Sequence, residues 1–286
     1  MNSEEVKVDP EQKKESGKIT SIICVIIGIV CIGVAAYGLF DIYKDYKVGD
    51  DVYQEAESEF VQIHPPVIDT TTDSTEGTGA VEEEGPKIPW YEMASVDIAG
   101  LKAKYADVVG WIFFEDGLIS YPVMHSHSND TYLYTTYNGT ESIGGSIFVE
   151  ATHSGDFTDT HTLVYGHNMK NLSMFGRLKH YRRNNDYYEN HQYFQIFLED
   201  EILRYRIFAY QEVSVDSFVY KEYFNNAKEL GDRLLQISMR KTDIEIPEDG
   251  RIITLSTCTA DDAHRFVVSA VLVERYSLEE HKLVEE

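Results

Sequence analysis

The chain has 286 residues, a length that suits one large domain or two small ones. Its hydrophobic content of 43%, with 20 Tyr and 13 Phe, is enough for a packed core and excludes a generally disordered protein. The formal net charge of -24 argues against a nucleic-acid-binding protein, because phosphate binding needs a basic surface.

An uncharged apolar segment covers residues 19–40. As a helix it would be roughly 33 Å long, about the thickness of a bilayer core. The alternative is a cleaved signal peptide, but the apolar part of a signal peptide has only about 7–15 residues. We therefore expect a single-pass anchor at residues 19–40, preceded by a cytoplasmic tail at residues 1–18. Lysines flank the segment on both sides, so the positive-inside rule gives little information about its orientation. We expect the following domain to lie outside the cell because the tail before the segment is short and the domain after it is large.

The composition changes after the apolar segment. Residues 50–84 contain eleven acidic residues and no Lys or Arg, and much of this stretch has no apolar period. Such a chain repels itself and stays solvated. We expect residues 41–87 to form a flexible acidic linker, with a surface loop as the alternative, and residues 88–286 to form the folded domain.

The first element of that domain is expected to be a helix over residues 93–111, with Ser95 as a possible N-cap. Short runs rich in β-branched and aromatic residues follow and predict strands, among them WIFF, SIFVE, TLVYGH, RIITLSTC and RFVVSAVLVER. Glu199 and Asp200 indicate the turn of a hairpin. Helical patterns interrupt the strands at residues 174–183 and 221–241. The pattern predicts a mainly antiparallel β domain, a barrel with added helices.

Cys258 is the only cysteine of the predicted soluble part, because Cys24 and Cys31 both lie within the apolar segment. Extracellular proteins ordinarily pair their cysteines in disulfides, so a single thiol there is expected to be either buried or used in chemistry. The pattern leaves both interpretations open, a reactive nucleophile or a small buried side chain.

The residues around Cys258 fit nucleophilic catalysis. Cys258 ends one strand pattern and Arg265 begins the next, so adjacent strands would bring the guanidinium close to the sulfur, where it suits a developing oxyanion. His167 also ends a strand pattern, after Gly166, which permits close packing. His264 is the rival histidine, but neighbours on a strand point to opposite faces, so His264 and Arg265 do not both reach the sulfur.

The sequence resembles class B sortases. The resemblance rests on TLSTC with an arginine on the next strand, on YGHNM and SMFGRL, and upstream on YPVM, SNDTYL and GGSIF, and it covers about residues 111–273. The helical stretch at residues 221–241 is similar to the same class. The resemblance implies a closed, sortase-like β-barrel with an N-terminal helix and a helical insertion before the last two strands, preceded by one transmembrane helix.

The activity that the resemblance implies is that of a membrane-anchored cysteine transpeptidase outside a Gram-positive cell. Such enzymes cleave a C-terminal sorting motif of secreted proteins through a thioacyl intermediate, which an amine of peptidoglycan precursor resolves. Carried over by motif, Cys258 is the nucleophile, His167 the general acid and base, and Arg265 the oxyanion stabiliser, assisted by the backbone N–H of Thr259.

The resemblance also implies substrate contacts at Asn129, Tyr165 and Ser256. If they do not contact substrate, Asn129 would be a turn residue, Tyr165 a residue of the barrel core and Ser256 an outward-facing strand residue. The histidines of HSHS at residues 125–128 are expected to lie in a surface loop, since two histidines without further ligands make a weak metal site. We expect no cofactor and no catalytic metal.

Two other functions remain open at this stage. An extracellular cysteine peptidase would share the thioacyl intermediate and differ only in its acceptor. A non-catalytic, membrane-anchored binding module would leave Cys258 unreactive. Asp261 and Asp262, which follow Cys258 closely, would either tune His167 or be solvated.

Overall fold

A computed structural model describes residues 10–64, 88–183, 186–221, 223–258 and 263–284, without the side chains of residues 10–23 and 258. The chain divides into two compact units, Met1–Lys47 and Val48–Glu286. The second unit begins about forty residues before the predicted domain boundary at residue 88.

Most strands of the second unit coincide with the β-branched and aromatic runs of the sequence, but the strands at residues 61–63, 94–96 and 282–283 were not predicted. The helix predicted over residues 93–111 is too long, because residues 94–96 and 108–111 are strand and only residues 98–104 are helical. The strands are β1 (Val61–Ile63), β2 (Ala94–Val96), β3 (Val108–Phe114), β4 (Ser120–Met124), β5 (Ile147–Val149), β6 (His161–Tyr165), β7 (Tyr193–Phe197), β8 (Glu201–Ser214), β9 (Ile252–Cys258), β10 (His264–Ser277) and β11 (Lys282–Leu283). The β7–β8 hairpin turns at Glu199 and Asp200, as predicted, and the amide of Leu198 donates to the carbonyl of Glu201 at 2.9 Å.

Eight of these strands form a closed barrel in the order β10, β8, β7, β3, β4, β5, β6 and β9, and β9 pairs again with β10. Closure leaves the barrel without an open sheet edge. The pairs β4–β5 and β6–β9 are parallel, and the other neighbours in the barrel are antiparallel. The prediction of a mainly β, closed-barrel fold is confirmed.

Parallel neighbours require the chain to cross the length of the barrel between them. The crossover from β4 to β5 is the segment of residues 125–146. The crossover from β6 to β9 includes the hairpin β7–β8 and the predicted helical insertion. Both crossovers leave or enter the barrel at the end where Tyr165 and Ser256 lie side by side. This topology collects loops of very different sequence position around one barrel end.

The helices are α1 (Pro10–Phe60), α2 (Ile98–Lys104), α3 (His180–Arg183), α4 (Tyr187–Asn190), α5 (Phe218–Lys221) and α6 (Ala227–Ile237). Helix α6 is the core of the predicted insertion, and Asn226 caps it by accepting from the amide of Glu229 at 3.1 Å. Its buried Leu230 and Leu234 pack with Phe208 of the barrel, so the insertion belongs to the same hydrophobic core.

The N-cap predicted at Ser95 is wrong. Helix α2 begins at Ile98, and Asp97 caps it by accepting from the amide of Gly100 at 2.8 Å. Ser95 instead lies in β2, where it pairs with Gln62 of β1. A cap preference alone does not distinguish two candidate residues that stand two positions apart, and the strand pairing decides between them.

The predicted flexible linker at residues 41–87 also differs from the structure over its first half. Helix α1 continues to Phe60, and Tyr53, Ala56 and Phe60 are buried within the second unit. Positions 53, 56 and 60 lie on one face of the helix, and the acidic residues of this stretch lie on its other faces, so the apolar face can pack. Strand β1 then pairs with β2. The remainder of the predicted linker, residues 65–87, lies outside the described residues.

Over its described residues, 10–47, the first unit is the amino-terminal part of α1. Over the described residues this helix is long and apolar enough to cross a membrane. Its large apolar side chains are exposed, with Ile32 at 70% and Leu39 at 69%. Within the first unit, no other described residues bury this apolar surface, and a surface of this kind marks an interaction site.

Candidate active site

A pocket of about 250 Å³ lies at the end of the barrel where β6, β9 and β10 meet the β4–β5 crossover. We call its two sides the strand wall, formed by Tyr165, Ser256, Thr257 and Arg265, and the loop wall, formed by the crossover of residues 125–146 with Asn129 and Leu133. His167 lies where the two walls meet, and Gly166 and Phe148 complete the lining. The structure thus brings five of the predicted site residues into one cavity: Asn129, Tyr165, His167, Ser256 and Arg265.

The strand wall places the backbone of Cys258 next to Arg265. Strands β9 and β10 are antiparallel neighbours, and Cys258 and Arg265 are direct cross-strand partners. This confirms that the strands carrying the two residues are adjacent. The guanidinium of Arg265 donates to the carbonyl of His264 at 2.8 Å and faces the pocket. The side chain of Cys258, and Thr259, Asp261 and Asp262, lie outside the described residues.

His167 is held by close packing and by one hydrogen bond. A side chain at Gly166 would put its Cβ 2.5 Å from Ile147 Cδ1 and 2.7 Å from Phe175, so only glycine lets the chain after β6 pass this point. The Nε2 atom of His167 lies 2.7 Å from the carbonyl oxygen of Leu133. Because a carbonyl oxygen only accepts, Nε2 carries the hydrogen, and Nδ1 is the nitrogen left for proton transfer.

Arg265 rather than His264 faces the cavity among the described lining residues. His264 is half-buried and pairs across the sheet with Ser214 of β8. The alternation of faces along a strand accounts for the separation, as the sequence pattern predicted. Of the two histidines weighed from the sequence, His167 is the one that lines the pocket.

The loop wall depends on interactions with distant segments. Gly145 has a φ of +52°, and a Cβ there would collide with the carbonyls of Leu133 and Tyr132, so the end of the crossover requires glycine. The hydroxyl of Tyr53 in α1 donates to the carbonyl of Gly145 at 2.5 Å and lies 3.2 Å from Ser146 Oγ. The loop wall is therefore packed against the carboxyl end of α1.

The predicted substrate contacts have partners within the protein. Asn129 donates through Nδ2 to Glu150 at 2.7 Å and accepts through Oδ1 from the amide of Ala151 at 2.8 Å. The hydroxyl of Tyr165 donates to the other oxygen of Glu150 at 2.8 Å. Burial, followed by the nearby charge of Glu150, raises the pKa of the Tyr165 phenol well above its ordinary value, so Tyr165 stays protonated.

The purely structural roles considered for these three residues from the sequence are only partly correct. Tyr165 is half-buried at the pocket and is not a barrel-core side chain. Ser256 is 1% exposed and lies 2.9 Å from the hydroxyl of Tyr220, so it is not an outward strand residue. Asn129 does lie in a loop, but its amide also joins the loop to the end of β5.

Several residues that line or support the pocket were missed from the sequence. Thr257 lines the pocket with a buried hydroxyl that has no hydrogen-bond partner among the described residues. Glu150 was missed too, although an acidic residue directly after an apolar strand is a recognisable signal. Phe148 and Leu133 supply apolar walls, and nothing in their local sequence separates them from other core residues.

The HSHS segment differs in part from the expected surface loop. His127 is exposed, whereas His125 is half-buried, and its Nε2 is buried without a partner in the part of the chain that the structure describes. Among the described residues, no group of three His, Cys, Asp or Glu side chains is arranged to hold a metal ion.

The pocket has the components that acyl transfer from a peptide requires. A histidine in a defined tautomer and a permanent cation flank the strand end that carries a cysteine, and polar groups of both walls line a cavity of peptide-side-chain size.

Comparison with known proteins gives the same family throughout. A model of the sortase domain matches residues 116–273, more than half of the chain. Sortase B of Listeria monocytogenes is 28% identical over 247 residues, which cover 83% of this chain and 94% of that protein. A Bacillus anthracis structure described as similar to sortase B is 26% identical, with a TM-score of 0.61, and the match covers 80% of this chain and 97% of that one. The X-ray structure of Clostridium perfringens sortase B is 29% identical with a TM-score of 0.56, covering 61% and 98% of the two chains. The chain therefore belongs to the sortase family as a class B member, and it is a sortase-type cysteine transpeptidase.

Proposed function

We propose that this transpeptidase cleaves a C-terminal sorting motif of secreted proteins and transfers them to an amine of the cell wall, with Cys258, His167 and Arg265 as its catalytic residues. The observation that supports this assignment best is that Arg265, whose cross-strand partner is Cys258, and His167 line a single pocket.

In the first half-reaction the Cys258 thiolate attacks the scissile carbonyl carbon, and the carbonyl oxygen takes up the negative charge. The guanidinium of Arg265 stabilises that oxyanion through its fixed fork of donors. His167 then gives its Nδ1 proton to the departing amine as the C–N bond breaks, which leaves a thioester on Cys258.

In the second half-reaction an incoming amine attacks the thioester carbon. His167, now neutral at Nδ1, accepts the proton that the amine loses, and the C–S bond breaks to release the Cys258 thiolate. The hydrogen bond from Nε2 to Leu133 supports both steps, because it keeps Nδ1 as the nitrogen that exchanges the proton. Water competes with the amine at roughly 55 M, so transfer requires that the site orient the amine.

The test is to incubate the protein with a peptide library, with and without a panel of peptidoglycan-like amines, and to identify the products by mass spectrometry. We expect slow cleavage alone, a new amide-linked product with a suitable amine, and faster turnover with hydroxylamine, which captures the thioester. Cys258→Ala is the matched control and should give no product and no labelling at position 258 by a thiol-reactive probe, with Cys24 and Cys31 replaced by Ser in both proteins. Rapid cleavage to free carboxylate with every amine would instead assign a peptidase, and a lack of both labelling and product would favour a binding module.

For the location of the enzyme, we propose that residues 19–40 anchor it in the lipid bilayer, with residues 1–18 in the cytoplasm and the catalytic domain outside the cell. The exposed apolar surface of the amino-terminal helix supports this assignment. An epitope fused after Glu286 should be accessible to antibody on intact protoplasts, whereas one fused before Met1 should be accessible only after lysis. The opposite accessibility would reverse the topology.

A further inference from the structure

Glu150 is an acidic residue whose side chain contacts two different residues of the pocket. It follows β5 directly, and its backbone is fixed because its amide donates to the carbonyl of Leu163 at 2.9 Å. One carboxylate oxygen accepts from Asn129 Nδ2 at 2.7 Å and the other accepts from the Tyr165 hydroxyl at 2.8 Å. Glu150 therefore connects the loop wall with the strand wall from behind the pocket lining.

The charge of Glu150 determines the direction of both hydrogen bonds. An ionised carboxylate has no hydrogen to donate, so both partners must donate to it. The single hydroxyl hydrogen of Tyr165 is thus used, and toward the pocket its oxygen acts only as an acceptor. Charge-assisted bonds of this kind are stronger than neutral ones, which keeps the phenol in that orientation.

Whereas Tyr165 offers the pocket an acceptor, Asn129 is oriented so that it offers a donor. Its Oδ1 accepts from the amide of Ala151 and one Nδ2 hydrogen goes to Glu150, so a flipped amide would set an oxygen against the carboxylate. The second Nδ2 hydrogen makes no hydrogen bond to any described residue, and it is the group that Asn129 can offer to a ligand. The pocket therefore presents a donor at Asn129 and an acceptor at Tyr165.

We propose that Glu150 is a specificity-determining positioning residue, which fixes this donor and acceptor pair so that the pocket selects a neutral amide of the peptide and rejects a carboxylate. An amide supplies both a carbonyl oxygen for Asn129 and an N–H for Tyr165. A carboxylate in the same place would meet the Tyr165 oxygen without a hydrogen, close to the negative charge of Glu150. This inference rests on the proposed function, because it concerns the peptide substrate of the same site.

The first test is Glu150→Gln, assayed with a peptide selected from the library. A glutamine can donate to Tyr165, which frees the phenol hydrogen to point into the pocket and reverses its polarity. We expect KM for the peptide to rise about tenfold, the equivalent of one mispaired hydrogen bond, with kcat changed less than threefold. The rate at which a thiol-reactive probe labels Cys258, and its dependence on pH, should stay as in the wild type.

Glu201→Gln is the matched control. Glu201 is also half-buried, and its carboxylate pairs with Arg275 at 2.7 Å on the β8–β10 ladder, so its loss should leave KM unchanged. An unchanged KM in Glu150→Gln, or labelling that falls in parallel with turnover, would overturn the inference. A wild type that neither labels nor turns over would instead refute the proposed function.

A second test measures the Asn129–Glu150 contact through protein stability, independently of enzyme activity. Asn129→Asp sets a carboxylate against Glu150 and should lower the melting temperature by several degrees, whereas Asn129→Asp combined with Glu150→Gln should recover most of that loss. KM of the double variant should remain raised, because position 129 then only accepts. Failure of the second substitution to recover the melting temperature would show that the contact does not hold the loop, and a wild-type KM in the double variant would show that its polarity does not select the peptide.

Discussion

The two walls of the pocket obtain their geometry in different ways. The strand wall is a continuous ladder in which Tyr165 pairs with Ser256 and Cys258 with Arg265, so barrel registers set its side-chain positions. The loop wall consists of residues 125–146, which have little regular structure and are held by Tyr53 of α1, by Glu150 and by Asp107, which accepts from Tyr132 at 2.7 Å. A site residue on the strand wall can be located from the pattern of its own strand, whereas one on the loop wall depends on contacts with distant segments.

His167 depends on both walls. Its backbone leaves the end of β6, but its Nε2 bonds to the carbonyl of Leu133 in the loop wall. The orientation of the proposed acid–base residue therefore depends on α1 through Tyr53, Gly145 and the crossover. The predictions that follow disturb one wall at a time.

The largest effect is expected from removing the support of the loop wall. We compare a chain that begins at Val48 with one that begins at Ile88, which lacks the buried Tyr53, Ala56 and Phe60. Fully burying a large apolar side chain contributes about 1.5–3 kcal/mol, so the shorter chain should lose on the order of 5 kcal/mol. Urea unfolding of the two chains measures the difference. Equal midpoints would show that α1 does not stabilise the domain.

Next in size is the loss of the strand-wall cation. Arg265→Ala should reduce kcat/KM about 10²–10³-fold, roughly 3–4 kcal/mol, while the protein stays folded. Arg265→Lys should not restore the wild-type rate, because an ammonium does not reproduce the planar fork. His264→Ala is the control on the adjacent position and should remain within a few-fold of the wild type. His167→Ala should be inactive, and an equal loss in His264→Ala would mean that the wrong histidine has been assigned.

A third prediction concerns the barrel beneath the strand wall, where His161, Thr254 and Ser269 form a buried polar chain across β6, β9 and β10. Burial, with a smaller effect from the charge of His153, lowers the pKa of His161 to about 3. In the unfolded chain this pKa is about 6.5. As the pH falls below 6.5 the unfolded state takes up a proton that the folded state refuses, so stability is lost progressively from pH 6.5 down to about 3, at about 1.4 kcal/mol per pH unit.

His161→Gln should remove this part of the acid sensitivity. The measurement is the difference in free energy of unfolding between variant and wild type as a function of pH, obtained from urea titrations. His281→Gln, at an exposed histidine, is the control and should leave the profile unchanged. A constant difference between His161→Gln and the wild type across this range would contradict the assignment of a neutral, buried imidazole.

The smallest effect is expected from Tyr53→Phe, which keeps the buried ring and removes one hydroxyl. Gly145 loses its donor, so the protein should be destabilised by about 1–2 kcal/mol, and kcat should fall several-fold because Leu133 is held less firmly against His167. Tyr188→Phe is the matched control, since that buried hydroxyl donates to the carbonyl of Ile207 at 2.8 Å, outside the loop wall. We expect a similar loss of stability there without a change in kcat, and an equal change in kcat in both variants would refute the coupling.

Most barrel strands and the hairpin at Glu199 and Asp200 could be predicted from the sequence alone, together with the positions of Cys258 and Arg265 at the facing ends of two consecutive strands. These features follow from period-two patterns, turn residues and the alternation of side chains, all of which are local. The motif resemblance added the family. The alternation of side chains also favoured His167 over His264, because adjacent strand residues face opposite sides and Arg265 is expected to face the sulfur.

The distant segments that complete the site became evident from the three-dimensional contacts and not from the sequence. The acidic residues after position 50 predicted a linker, but Tyr53, Ala56 and Phe60 are buried within the second unit, and the free energy of that burial outweighs the local polarity. Glu150 acquires its significance only when closure of the barrel brings Asn129 and Tyr165 to its two oxygens. Contacts between residues so far apart in sequence are set by strand order and crossover paths, which a local pattern does not encode.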